Sequence, residues 1–256
     1  MSLTLLSAQT ASNLKGVSLV ATDMDGTLTR DSFFTSSLLK ALEALADAKI
    51  TVIIVTGRSA GWVQGIKTYL PIAGAIAENG GIFFAKDSDY PEILTPIPNL
   101  LHHRQQLSQV FEQLKIQFPQ ITESADNCFR LTDWTFDIQQ LTLLELQQMA
   151  DICAENGWGF TYSNVQCHIK PIGQDKATSL LKLISTKFIN LTPKEIVTIG
   201  DSPNDESLFD ISKFPFSVGV ANILKYASTL KHLPVYITSA PEEQGFIELA
   251  NLLLQF

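Results

Sequence analysis

Two aspartates two residues apart, Asp23 and Asp25, lie in the segment DMDGT (23–27). This segment directly follows VSLVAT (17–22), a short apolar run typical of a buried β-strand. Residues two apart on an extended chain point the same way, so both carboxylates should project from the carboxyl end of that strand, where open α/β sheets place ligands. Two such carboxylates need a cation between them, or one must stay protonated, and phosphoryl transfer uses both arrangements. Gly26 lets the backbone turn and approach a phosphate closely.

Three further residues are candidates for contacts to the oxygens of a phosphate. Thr56 and Gly57 follow the apolar run ITVIIV (50–55), where a hydroxyl and the N-terminus of the next helix favour an anion. Taken alone, Thr56 is equally well explained as a cap of that helix. Lys176 begins another predicted helix in GQDKATS, and it gains significance only from the other elements.

A second acidic segment, GDSPND (200–205), follows the predicted strand EIVTIG (195–200). It places Asp201 and Asp205 at the same edge of the sheet as the first pair of aspartates, with Asn204 beside them. Asp205 can also be explained as support for the start of a helix. Four acidic groups that converge without a cation would be costly, so Asp201 indicates a metal ion.

Strand-like and helix-like segments alternate over residues 1–81 and again over 173–256. The other predicted strands are GAIA (74–77) and FSVGVA (216–221), and the predicted helices are 33–48 with Asp31 and Ser32 as N-caps, 59–70, 174–188, 204–211 and 242–254. This alternation predicts parallel βαβ units, here a doubly wound, mostly parallel, Rossmann-like α/β sheet.

The pattern changes between residues 82 and 172. This stretch contains predicted helices near 99–117 and 142–156, a strand-like piece at 128–139 and a predicted hairpin at 157–171. We interpret it as an inserted α+β domain that divides the core into residues 1–81 and 173–256.

Four elements, in chain order DMDGT (23–27), Thr56, Lys176 and GDSPND (200–205), resemble those of the haloacid dehalogenase (HAD) superfamily. The insertion lies between the second and third of them, the position of a C2-type cap of the C2B kind. The whole resembles Cof-type phosphatases and sucrose-phosphate phosphatases. The resemblance covers the core closely, and over the cap it is topological only.

The resemblance implies a role for each matched residue. It implies that Asp23 attacks phosphorus and becomes an aspartyl-phosphate, and that Asp25 is the general acid and base. It assigns Thr56, Gly57, Lys176 and Asn204 to the phosphate, and Mg²⁺ to the carboxylates of Asp23 and Asp201 with the backbone carbonyl of Asp25. Asp205 is then either a ligand through water or the partner of Lys176. The implied reaction is hydrolysis of a small phosphorylated metabolite, such as a sugar phosphate, and the cap is expected to move and to supply contacts from Arg130, Trp134, His168 or Lys170.

The composition limits the binding partners and the compartment that we expect. The net charge of −8 argues against nonspecific binding to nucleic acid or to an anionic membrane. Three cysteines without a C-x-x-C pair suit a reducing cytoplasm. We read the first 16 residues as a partly ordered tail and expect a monomer or weak homodimer.

Two other readings remain open. GRSAG (57–61) fits the G-x-S-x-G pattern of a nucleophile elbow, so Ser59 with Asp201 and His232 could form a serine esterase triad. Only one predicted βα unit precedes this segment, which argues against the α/β-hydrolase fold. A phosphate-binding regulatory module without turnover is the other alternative.

Overall fold

A computed structural model describes residues 3–256, in which a nine-stranded sheet forms the centre of the larger domain. Its strands are β1 (Thr4–Leu5), β2 (Leu19–Thr22), β3 (Thr51–Val55), β4 (Gly74–Ala77), β5 (Ile82–Ala85), β6 (Glu92–Ile93), β10 (Ile196–Gly200), β11 (Phe216–Gly219) and β12 (Tyr236–Ile237). They are ordered β1-β12-β11-β10-β2-β3-β4-β5-β6. The first seven strands in that order are parallel, and β5 and β6 are antiparallel at one edge.

Helices cover both faces of this sheet. They are α1 (Ala8–Ala11), α2 (Ser36–Asp47), α3 (Ala60–Tyr69), α6 (Lys176–Lys187) and α7 (Glu242–Leu253). Successive residues of β2 face opposite sides: Val20 packs in the cluster that contains α2, α3 and α7, whereas Leu19 packs with α6. The predicted doubly wound α/β fold is therefore confirmed.

A second, smaller domain is inserted between β6 and α6. It holds the antiparallel sheet β7 (Trp134–Asp137), β9 (Gln166–Pro171), β8 (Trp158–Tyr162), in that order, and the helices α4 (Leu100–Gln117) and α5 (Leu143–Glu155). Its own apolar core includes Phe111 and Phe136, which are fully buried. We call this domain the cap.

The predicted start of the inserted domain at residue 82 stays a proposal, but strand pairing places that start later in the chain. β5 pairs with β4, and β6 pairs with β5, so residues 82–93 extend the large sheet. The cap elements lie between residues 100 and 171. A sequence pattern cannot show that β5 and β6 belong to the core, because only their pairing within the large sheet assigns them to it.

Two local expectations were wrong. Helix α2 is capped by Thr35, whose hydroxyl accepts from the backbone of Leu38, because Asp31 and Ser32 adopt positive φ in the preceding turn. Residues 203–209 form 3₁₀ turns instead of an α-helix. The N-terminal segment, expected to be a partly ordered tail, contributes β1, which pairs with β12 at the sheet edge. Over residues 3–256, no helix has both the length and the apolar character needed to cross a membrane.

Candidate active site

Three neighbouring parallel strands end at the same edge of the sheet and bring the predicted residues together. Asp23 follows β2, Thr56 follows β3 and Asp201 follows β10. The backbone N–H of Asp23 continues the ladder by donating to Ile199 at 2.9 Å. Because these side chains stand on paired strands, their spacing is fixed by the sheet.

Lys176 joins two of the predicted carboxylates. At the start of α6 and fully buried, it donates through Nζ to Asp23 Oδ1 at 2.5 Å and to Asp205 Oδ1 at 2.6 Å. These carboxylates outweigh the burial of the ammonium group and raise the pKa of Lys176, so it stays charged. The other oxygen of Asp205 accepts from the backbone N–H groups of Asp201 and Ser202. Both oxygens of Asp205 are thus engaged, one of them by Lys176.

Asp201 is held by two side chains that the sequence interpretation did not single out. Thr27 Oγ1 donates to Asp201 Oδ1 at 3.2 Å, and Asn222 Nδ2 donates to Oδ2 at 2.8 Å. The only sequence signal for Asn222 is its position just after β11, at the same edge of the sheet. Gly26 is required here, because a Cβ at that position would lie 2.6 Å from Asp201 Oδ2.

The carboxyl cluster fits a divalent cation. Oxygens of Asp23, Asp201 and Asp205 all lie within 4.8 Å of one another, and all three residues are buried. Burial and the charge of Asp205 raise the pKa of Asp23 to about 7. Burial and the charge of Asp23 raise the pKa of Asp201 well above its usual range. Three carboxylates facing one ammonium leave two negative charges, which oxygen-binding Mg²⁺ would balance.

Asp25, the predicted acid and base, is engaged by an arginine from the next strand end. Arg58 Nε donates to Asp25 Oδ2 at 2.8 Å, and a terminal guanidinium nitrogen donates to Oδ1 at 2.6 Å. The side chains are 25% and 18% exposed, so solvent reaches this pair. The guanidinium carbon of Arg58 also lies 5.2 Å from the centre of the Trp62 ring.

The remaining predicted phosphate-binding residues lie around the same point. Thr56 is buried, and its Oγ1 accepts from the backbone N–H of Arg58 at 3.1 Å. Asn204 donates to Asn79 Oδ1 at 3.0 Å and accepts from Ser202 Oγ at 2.7 Å. Thr56 thus supports the local turn through its hydroxyl, and the residue also lines the cavity described below.

The cap is docked directly on the loop that contains Gly57. Arg130 of the cap donates to the Gly57 carbonyl at 3.0 Å. The ring of His168 lies so close that a Cβ on Gly57 would be 3.1 Å from its Cε1. Glu78 of the core accepts from Thr132 of the cap through both the backbone N–H and the hydroxyl, and from the Ala60 N–H of α3. These contacts fasten the cap over the site.

A cavity lies between the two domains, with a volume of about 20 Å³. The core side of its lining is Asp23, Asp25, Thr56, Gly57, Arg58, Ser202 and Asn204, and the cap side is Ser163, Asn164, Val165, Gln166 and His168. A volume of this size holds about one water molecule. With the cap in this position, the cavity leaves little room beside Asp23.

Of the four cap residues expected at the substrate, the structure brings His168 alone to the cavity. Its Nδ1 pairs with Asp133 Oδ2 at 2.8 Å, and Asp133 in turn binds Arg130. Trp134 lies under the guanidinium of Arg104, and Lys170 donates to the carbonyl of Gln174. Ser163, Asn164 and Gln166 were missed because a hairpin turn carries no signal of what it faces.

The serine esterase reading is not supported by the geometry. Ser59 is fully buried at the start of α3, and its Oγ has no hydrogen-bond partner among residues 3–256. His232 lines a separate cavity with Thr4 and Pro234. Asp201 is bound to Thr27 and Asn222, so these residues form no hydrogen-bonded triad.

Comparisons with known proteins agree with this geometry. A family model described as haloacid dehalogenase-like hydrolase matches residues 20–118 and 99–246. A phosphoglycolate phosphatase of Picrophilus torridus is 30% identical over 217 residues, 80% of each chain. Phosphoglycolate phosphatase 1 of Saccharolobus solfataricus is 29% identical over 243 residues, covering 93% of this chain and 96% of the relative.

Solved structures share the fold. A crystal structure from Thermoplasma acidophilum aligns with a TM-score of 0.74 and 21% identity, covering 93% of this chain and 97% of the other. The sucrose-phosphatase of Synechocystis sp., solved with sucrose and phosphate, aligns with a TM-score of 0.67 and 16% identity, covering 92% and 98%. With the carboxylates and Lys176 assembled at the strand ends, these matches show that the chain belongs to the haloacid dehalogenase-like hydrolase family and is a phosphatase of it.

Proposed function

We propose that this phosphatase is Mg²⁺-dependent and hydrolyses a small phosphomonoester through an aspartyl-phosphate on Asp23. One observation carries the proposal. The Asp23 carboxylate lies in the lining of the cavity between core and cap, with one oxygen bound by Lys176 and with Asp201 beside it. A nucleophile needs such charge compensation next to an anionic phosphoryl group.

The residues of this chain divide the reaction between them. A carboxylate oxygen of Asp23 forms a bond to phosphorus while the bond from phosphorus to the ester oxygen breaks. The carboxyl group of Asp25 gives its proton to that departing oxygen, and its carboxylate then takes a proton from the water that attacks the phosphoenzyme. Lys176 and Thr56 bind phosphoryl oxygens, and release of phosphate restores Asp23.

The carboxylates of Asp23 and Asp201 and the backbone carbonyl of Asp25 would hold Mg²⁺. When bound, the ion offsets charge on the phosphoryl oxygens and fixes their orientation. Asn204 binds near the phosphate, and Asp205 keeps Lys176 in place. The residues fit this ion because the cluster offers oxygen ligands and two uncompensated negative charges.

The substrate we propose first is 2-phosphoglycolate, because relatives that align over most of this chain are named phosphoglycolate phosphatases. Sugar phosphates, which the sequence resemblance implies, are the second class to test. In either case the cap must open, because a cavity of about 20 Å³ cannot admit a phosphate ester. Gly173, at positive φ, directly follows the last cap strand and is suited to such a movement.

We further propose that the protein works in the cytoplasm as a monomer or weak homodimer. The three cysteines, all within residues 3–256, are free thiols, which supports a reducing compartment.

The experiment is a panel of phosphomonoesters assayed with purified protein in EDTA, Mg²⁺ or Ca²⁺. We expect 2-phosphoglycolate to be hydrolysed with Mg²⁺, no turnover in EDTA, and poor support by Ca²⁺, whose coordination is larger and looser. Full activity in metal-free buffer would contradict the metal assignment. Binding of phosphate without turnover of any ester would favour the alternative of a silent regulatory module.

A further inference from the structure

Arg58 has a position in the cavity that the proposed reaction leaves unused. Its guanidinium lines the cavity and holds Asp25 through two hydrogen bonds. A planar guanidinium binds one carboxylate in this bidentate manner and matches any other carboxylate equally well. The pair is therefore chemically suited to an exchange of partners.

Arg58 is also the cation that is available. Lys176 is fully buried between Asp23 and Asp205, and the proposed reaction commits it to the phosphoryl group. Arg130 is enclosed by Asp126, Asp133, Gln166 and the Gly57 carbonyl. Among the described residues that line the cavity, Arg58 carries the one guanidinium or ammonium group.

The other basic group in the lining, His168, does not replace it. Its Nδ1 is committed to Asp133. Burial lowers the pKa of His168, so its ring is neutral and offers an anion no positive charge. A second negative charge on a bound substrate would then have Arg58 as its cationic partner.

We propose that Arg58 is a specificity-determining residue that selects esters whose leaving group carries a carboxylate, by exchanging Asp25 for that carboxylate. This inference rests on the proposed phosphatase function. In the resting protein Arg58 holds Asp25; when the substrate's carboxylate takes the guanidinium, Asp25 is free to turn toward the ester oxygen. Stacking on Trp62 keeps the guanidinium in place during the exchange.

The exchange explains why a neutral leaving group would be a poorer substrate. A neutral leaving group has no carboxylate to replace Asp25 at Arg58, so Asp25 stays bound to the guanidinium. Because the isolated carboxylate of Asp25 and the guanidinium would both lose a charged partner, their separation is unfavourable. Selectivity then arises from one residue of the core instead of from the cap alone.

The test compares 2-phosphoglycolate with its primary amide, 2-phosphoglycolamide, which has the same shape and no charge on the leaving group. With Mg²⁺ present, wild-type kcat/KM should favour the carboxylate by roughly 10- to 100-fold, the range of a charge-assisted bidentate contact. In Arg58→Gln that ratio should fall to near one, and Arg58→Lys should lie between. The control Arg30→Gln removes a half-exposed arginine that pairs with Glu243 outside the cavity, and it should keep the wild-type ratio.

If Arg58 had only a structural role, its replacement would lower kcat/KM equally for both esters and leave their ratio unchanged. That result would overturn the inference. A wild-type ratio near one would overturn it without any variant. If p-nitrophenyl phosphate is hydrolysed and neither glycolyl ester is, the inference fails while the phosphatase function stands. If none of the three esters is hydrolysed, the proposed function itself is wrong.

Discussion

Replacing Asp23 with asparagine removes one negative charge from the carboxyl cluster and preserves the size of the side chain. Burial, and next the charge of Asp205, raise the pKa of Asp23 from 3.8 to about 7 despite the nearby ammonium of Lys176. At about 1.36 kcal/mol per pKa unit, an ionised Asp23 costs the folded, metal-free chain about 4 kcal/mol.

The sign of the pH dependence follows from this shift. The folded chain holds the Asp23 proton more tightly than the unfolded chain does, so the cost is absent below pH 3.8 and complete above about pH 7. Asparagine carries no such cost. Metal-free Asp23→Asn should therefore have a free energy of unfolding about 4 kcal/mol above wild type at pH 8, and only about 2 kcal/mol above it at pH 5.

Urea unfolding followed by circular dichroism in EDTA, at pH 5 and pH 8, measures both differences. Asp89→Asn, at an exposed aspartate, controls for the general loss of charge and should change little at either pH. Saturating Mg²⁺ should stabilise wild type, by about 2.7 kcal/mol at 100 times its Kd, and should stabilise the variant less. A variant less stable than wild type at pH 8 in EDTA would refute the reasoning.

Two further substitutions test how the cap is fastened. Gly57→Ala should lower kcat/KM by about 10-fold, because a Cβ 3.1 Å from His168 Cε1 would force that ring, and the cap strand that carries it, to shift. Gly65→Ala, where a Cβ meets nothing within 4 Å, should leave kcat/KM unchanged in the same assay. Glu78→Gln should lower the free energy of unfolding by about 1–3 kcal/mol in urea titration, because its amide NH₂ would face an N–H donor of Ala60 or Thr132. Wild-type stability of that variant would show that Glu78 is not a fastening point.

The sequence predicts the elements whose evidence is local. The apolar runs before Asp23, Thr56 and Asp201 identify the three buried strands, and the parallel alternation places their ends at one edge. The structure brings these residues together with Lys176, as the spacing and the resemblance indicated. Where the pattern is carried by neighbouring residues, sequence reasoning succeeds.

It fails where the deciding partner is distant in the chain. β5 belongs to the core sheet because of its pairing with β4, which an apolar run cannot reveal. Arg58 and Asn222 contact the site residues only after β3 and β11 have been placed beside their neighbours. Thr35 caps α2 because Asp31 has a positive φ in the preceding turn, and the conformation of that turn depends on the whole loop.

The most direct test of the proposed mechanism looks for the phosphoryl group itself. Asp25→Asn removes the proposed acid and base while leaving Asp23 in place, and each proton-transfer role is worth about 10²–10⁴ in rate. p-Nitrophenyl phosphate, whose leaving group needs little protonation, should still transfer its phosphoryl group, and the intermediate should then persist. Rapid quench with Mg²⁺, followed by mass spectrometry, should show one added phosphoryl group on the peptide that contains Asp23. Turnover by wild type with no phosphoryl group on that peptide in the variant, or with the group on another residue, would contradict Asp23 as the nucleophile.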